Sequence, residues 1–180
     1  MYIKKKQIQN LWYNKINMEI KSQFKGRDGQ MYEYVYREGF DPLEGLDGKI
    51  LQAVHGFCFC GDKLVVVYAQ DKGYWTFPGG GIEKGETYEE AVVREVKEES
   101  NMKVLHQELI GYIDVYEKDR TIRQTRSFCI VEPYGDFVSD PDGDISEIKL
   151  IDPKEYDQYV KWGEIGDHIV KRAIEMKNKM

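Results

Sequence analysis

Three glutamates crowd into one short run, Arg94-Glu95-Val96-Lys97-Glu98-Glu99. At about 100° per residue, Glu95 and Glu99 share one face of a helix and Glu98 lies close beside them. Val92 and Val96 adjoin that acidic face, so the carboxylates sit at the edge of a buried stripe. An unpaired cluster there repels itself and loses hydration. A divalent cation relieves both costs, and an all-oxygen donor set suits magnesium or manganese. The simplest alternative is a solvated acidic helix face. The surrounding sequence favours chemistry. Phe77-Pro78-Gly79-Gly80-Gly81 approaches as a glycine-rich turn, where backbone groups can come close to a ligand. Glu86 precedes the helix and Arg94 lies two turns along it, so an ion pair between them would pin loop to helix.

The helix has its own signals. Thr87-x-x-Glu90 is a capping-box pattern that starts it at Tyr88, and Ala91 to Lys97 sustain it to Ser100. Asn101 is suited to the left-handed conformation that closes a helix C-terminus.

The spacing Gly80, five residues, Glu86, seven residues, then Arg94 through Met102 resembles the Nudix box, G-x5-E-x7-R-E-U-x-E-E-x-G-U. Asn101 stands where that pattern has glycine. The resemblance implies an α/β (α+β) Nudix fold, a mixed β-sheet sandwiched between helices. It implies metal-dependent hydrolysis of a nucleoside diphosphate linked to another moiety, with Mg2+ or Mn2+ as cofactor. It gives Glu95, Glu98 and Glu99, with the Gly80 carbonyl, as metal ligands. Glu99 or Glu98, or a carboxylate from a later loop, would accept the proton of the attacking water. Arg94 would orient the carboxylates through Glu86 rather than touch substrate.

The rest of the chain must position that stretch. Its 180 residues are enough to bury a sizeable core, divided as an N-terminal extension over 1–48 and a Nudix domain over 49–180. In the extension, Ile16 to Phe24 and Met31 to Arg37 alternate around Gly26-Arg27-Asp28-Gly29 and predict a β-hairpin. It can cover a core edge, contribute to a homodimer, or wall a substrate pocket. Lys4, Lys5 and Lys6 beside Leu11, Trp12 and Tyr13 read as a solvated terminus with an apolar anchor.

Leu51 to Cys60 and Leu64 to Gln70 predict a strand pair, and Lys103 to Glu117 and Thr121 to Glu132 another. Tyr112, Tyr116 and Phe128 can stack on a base or pack in the core. Arg120, Arg123 and Arg126 can meet phosphates or lie on the surface. The loop Tyr134 to Glu147 offers Asp140, Asp142, Asp144 and Glu147, any one of which can add a carboxylate to the site. A strand from Ile148 to Ile151 and a helix from Glu164 to Met176 follow.

The net charge of −6 argues against nucleic acid as a general partner and against anionic membranes. No apolar run approaches the roughly 18 residues of a membrane span. Three cysteines without a framework fit a reducing cytoplasm. Cys58 and Cys60 have no second Cys/His pair to complete a zinc site, so they read as packing residues. The expected partner is a small nucleotide. The Trp75-x-Phe77-Pro78-Gly79-Gly80 approach is similar to that of Nudix members acting on nucleoside triphosphates. ADP-ribose or another nucleotide-sugar, a dinucleoside polyphosphate and RNA 5′ phosphates are the alternative substrates. A non-catalytic metabolite sensor is the alternative from outside enzymology, and the intact Arg94, Glu95, Glu98 and Glu99 argue against it.

Overall fold

The computed structural model describes residues 17–26 and 28–180. The basic and aromatic residues of the first sixteen positions, the start of the expected first strand at Ile16, and Arg27 lie outside the described residues. The hairpin forms as β1 (Met18–Lys25) and β2 (Met31–Glu38), paired antiparallel. Next come β3 (Lys49–Cys60), β4 (Lys63–Ala69) and the short β5 (Tyr74–Thr76). Helix α1 (Tyr88–Ser100) leads into the long strands β6 (Met102–Tyr116) and β7 (Thr121–Pro133). β8 (Ile145–Ile151), a 3-10 helix (Pro153–Gln158) and helix α2 (Gly163–Lys177) complete the chain.

All eight strands join one mixed sheet in the order β1-β2-β6-β7-β3-β4-β5, with β8 on β4. Only β3 and β7 run parallel, and every other pairing is antiparallel. Alternation along β3 splits the core in two. Val54 and Cys58 face α1, where they meet Ala91, Val92, Val96 and Cys129. Phe57 and Phe59 face α2 and pack with Phe77, Phe128, Ile165, Ile169 and Ala173. The sheet is therefore sandwiched between helices. Gly56 allows α1 to approach β3 closely, since a Cβ there would lie 3.0 Å from a Val96 methyl.

A buried ion pair ties the extension to this core. Asp114 on β6 is fully buried and accepts two hydrogen bonds from Arg123, at 2.7 Å and 3.0 Å. It also accepts from Lys49 at 2.6 Å and from Arg37 of β2 at 2.8 Å. Arg123 donates further to the carbonyls of Pro42 and Glu44, which fixes the turn-rich segment between hairpin and core. Arg123 therefore takes neither role expected of it, because it is 1% exposed and spent on Asp114. Tyr112 lies under that guanidinium, 4.0 Å from ring centroid to Cζ, and Phe128 is core, so neither is placed to stack on a base. On the opposite side of the hairpin Glu38 meets Arg172 of α2 at 2.6 Å and His168 at 2.9 Å. Among the described residues no helix is long and apolar enough to cross a membrane.

Burial alone would raise the Asp114 carboxyl, but donation by Arg123 and Lys49 outweighs it and holds the group below 3.8. Its stabilisation is complete above the ordinary aspartate range and is lost as pH falls through the lowered folded value. Asp114→Ala leaves Arg123 buried without a counter-charge. The expected loss is about 3–5 kcal/mol in urea unfolding at neutral pH. Removing the exposed Lys103–Glu132 pair should cost about 1 kcal/mol or less.

Candidate active site

Helix α1 begins as its sequence dictates. Thr87 Oγ1 accepts from the Glu90 N–H at 3.2 Å and the Glu90 carboxylate accepts from the Thr87 N–H at 2.9 Å, a reciprocal cap worth about 1 kcal/mol. Asn101 closes the helix in the left-handed conformation with φ 52°. Its amide also donates to the carbonyl of Asp136 at 3.0 Å, which holds the acidic loop beside the helix end.

The glycine turn runs alongside β3, where β4 has diverged. Gly56 N–H donates to the Pro78 carbonyl at 2.8 Å, Val54 N–H to the Gly80 carbonyl at 3.0 Å, and Ile82 N–H to the Gln52 carbonyl at 2.9 Å. Gly79 N–H donates instead to Glu99 Oε2 at 2.7 Å. No side chain fits at Gly79, where a Cβ would meet the Val54 carbonyl oxygen at 2.2 Å. At Gly80 a Cβ would lie 2.6 Å from each Glu95 carboxylate oxygen. The glycines thus let a strand-like backbone lie directly on two carboxylates.

Arg94 gathers the remaining acids. It donates to both oxygens of Glu86, each at 2.9 Å, to Glu95 Oε1 at 2.8 Å and to Glu98 Oε2 at 3.0 Å. It also donates to the Gly81 carbonyl at 2.8 Å. Glu86, Glu95, Glu98 and Glu99 are thus gathered around one guanidinium and one glycine turn. Donation by Arg94 holds Glu86 below 4.5. Burial pushes Glu95 up against the pull of Arg94. Glu99 forms no ion pair among the described residues. Burial pushes its carboxyl up to about 8 despite donation by Gly79, and the charges of Glu95 and Asp140 add to the rise.

Of the four acids of the later loop, Asp140 is buried and accepts from the N–H groups of Asp142, Asp144 and Ile145, so it shapes the loop. Its charge reaches Glu99, and that of Asp142 reaches Glu95. Glu147 lies on β8 and pairs with Lys149 at 3.5 Å. Among the described residues no three acidic, Cys or His side chains converge as a ready metal cluster. The Gly80 carbonyl has one lone pair committed to Val54. The donor set nonetheless fits a hard divalent cation. It is all oxygen, it is packed against glycine backbone, and one guanidinium answers three of the carboxylates while Glu99 has only the Gly79 N–H.

The NUDIX domain family model matches residues 49–172. The chain belongs to that family. It is 37% identical over 75 residues to the provisionally named 8-oxo-dGTP diphosphatase YtkD of Bacillus subtilis, covering 42% of this chain and 47% of that protein. It is 37% identical over 70 residues to the ADP-ribose pyrophosphatase of Methanocaldococcus jannaschii, covering 37% of this chain and 41% of that protein. These matches span less than half the length of either relative. Among solved structures, the Bacillus subtilis pyrophosphohydrolase BsRppH superimposes with a TM-score of 0.67 at 22% identity, covering 86% of this chain and 97% of that one. That likeness establishes the fold.

Two further residues stand near this Nudix turn. His55 packs against Gly79 and stands edge-on to Trp162, with ring centroids 5.0 Å apart. Nothing local in the sequence marks either, since they meet only when α2 docks on β3.

Gly80→Ala would drive a methyl group into the Glu95 carboxylate. We expect a loss of about 1–3 kcal/mol in urea unfolding, as for an overpacked core. Gly81→Ala, where a Cβ meets open space, should cost less than half of that.

Proposed function

We propose that the protein is a metal-dependent pyrophosphohydrolase whose substrate is a nucleoside triphosphate. The observation that carries this reading is the charge imbalance at the turn: three carboxylates share the Arg94 guanidinium, and beside them Glu99 forms no ion pair among the described residues. Glu95, Glu98 and Glu99 would hold divalent metal, Mg2+ or Mn2+, beside the free lone pair of the Gly80 carbonyl. Divalent metal held there would supply charge to screen the polyphosphate and to ease deprotonation of the attacking water. Arg94 positions Glu95 and Glu98 and is itself anchored by Glu86, so neither Arg94 nor Glu86 needs to touch substrate. Gly79 fixes Glu99 through its N–H. Water adds to one phosphorus of the diphosphate, the bridging oxygen leaves with the other phosphate, and a carboxylate of this group accepts the proton.

A triphosphate is favoured by the likeness to an 8-oxo-dGTP diphosphatase and by the Trp75-x-Phe77-Pro78-Gly79-Gly80 approach. The likeness to an ADP-ribose pyrophosphatase keeps a nucleoside diphosphate joined to a sugar as the second reading. No helix spans a membrane among the described residues, and Cys58, Cys60 and Cys129 are free thiols, which suits a cytoplasmic enzyme of small nucleotides.

Phosphate and pyrophosphate release from nucleoside triphosphates, ADP-ribose, dinucleoside polyphosphates and 5′-triphosphate RNA, with magnesium, tests the reading. Triphosphates should be cleaved fastest. Glu99→Gln should fold normally and lose about 10²–10⁴-fold in turnover. Turnover like that of the unaltered protein would remove Glu99 from the mechanism.

A further inference from the structure

The sheet ends on two strands whose edges differ. Among the described residues β8 pairs only with β4, and that ladder shifts register between Tyr68 and Ala69, an irregularity of the kind that discourages further pairing. At the other end β1 pairs with β2 without a break from Met18 to Lys25, and no strand among the described residues lies beyond it. β1 contains no proline. The family match begins at residue 49, so this edge is a property of the extension.

The turn after β1 decides which of its backbone groups face outward. Gly26 N–H donates to the Gln30 carbonyl at 2.7 Å, and Gly29 N–H donates to the Gly26 carbonyl at 2.9 Å. Bonded pairs alternate along an antiparallel ladder, so the even-numbered residues of β1 bond to β2. The N–H and C=O groups of Glu19, Lys21, Gln23 and Lys25 therefore point to the open edge. Their side chains are exposed on one face of the strand. On the other face Ile20 packs toward the α2 side of the core, and Phe24 stands edge-on to Tyr34 with ring centroids 4.9 Å apart.

We propose that β1 pairs with β1 of a second copy of this chain, antiparallel about a twofold axis at Ser22. Outward backbone groups must oppose outward groups, so the axis passes through a residue rather than between two. An axis at Ile20 would join only Met18 to Ser22. One at Lys21 sets that ammonium against its own copy, and one at Gln23 sets Lys21 against Lys25 of the second copy, which like charges disfavour. An axis at Ser22 opposes Glu19 to Lys25 and Lys21 to Gln23 on the exposed face. On the α2 face it opposes Ile20 to Phe24, an apolar pair. The lysines thus exclude the neighbouring registers and the single acid selects this one.

Sedimentation equilibrium of the full chain tests this. One strand pair is a small interface, so a reversible dimer with a Kd of about 1–100 μM is expected. Lys25→Glu sets two acids opposite each other and should weaken the dimer about tenfold, and adding Glu19→Lys should restore it. Gln23→Pro removes an outward N–H without touching the ladder to β2, so it should abolish the dimer and leave the far-ultraviolet circular dichroism unchanged. Ser22 faces its own copy as a non-bonded pair with Cα atoms about 4.5 Å apart, so Ser22→Cys should link two chains on mild oxidation. The cysteine arm stands even if Gln23→Pro disturbs the hairpin. A monomer up to about 500 μM would leave the edge to the chain's own first residues or to another protein, and would overturn the proposal. So would a dimer that a folded Gln23→Pro leaves intact, a Lys25→Glu loss that Glu19→Lys does not relieve, or linkage by Lys21→Cys in place of Ser22→Cys.

Discussion

One guanidinium holds the acidic face of α1 against the glycine turn. Arg94 bonds three carboxylates and a backbone carbonyl at once. Without it, Glu95 and Glu98 would repel one another on a helix whose other face is already committed to the core through Val92 and Val96. With it, the repulsion is reduced but not cancelled, and the residual negative charge is what a divalent cation would answer. The glycines are the complementary constraint. Side chains at 79 or 80 would collide with β3 or with Glu95, so the acids and the backbone can meet only through bare peptide.

The same economy governs the extension. Its hairpin is not an independent unit, since β2 pairs with β6 and continues the core sheet. Asp114 binds Arg37 of the hairpin, Lys49 at the start of β3 and Arg123 of β7 together. Glu38 binds α2 through Arg172 and His168. These two clusters hold the hairpin against the core, where Phe24 and Tyr34 line the same cavity of the α2 face as Trp162. The site at the turn and that cavity therefore depend on different parts of the chain.

The box and its helix were legible because their determinants are local. The capping box at Thr87 and Glu90, the left-handed Asn101 and the Glu86–Arg94 pair all formed as the spacing implied. The hairpin and the long strands β6 and β7 were legible from alternation, with ends shifted by a residue or two. What failed was pairwise and distant. Arg123 and Arg126 look alike in sequence, yet the pleat sends them to opposite faces, one to a buried aspartate and the other to an aromatic cavity. The parallel pairing of β3 with β7, which sets His55 beside Arg126, has no local signature. Asp140 could not be told from Asp142 or Asp144 until its carboxylate was seen to fold its own loop.

Manganese binding tests the central claim most directly, because it reads the carboxylate group without assuming a substrate. Titration of Mn2+ followed by the loss of its free-ion electron paramagnetic resonance signal should show stoichiometric binding to the unaltered protein. A Glu95→Gln, Glu99→Gln double variant of normal stability should bind at least about tenfold more weakly, as expected when ligands to a metal are removed. Equal binding by the two proteins would mean that the carboxylates packed against the glycine turn do not hold the metal, and the account of the site would fail.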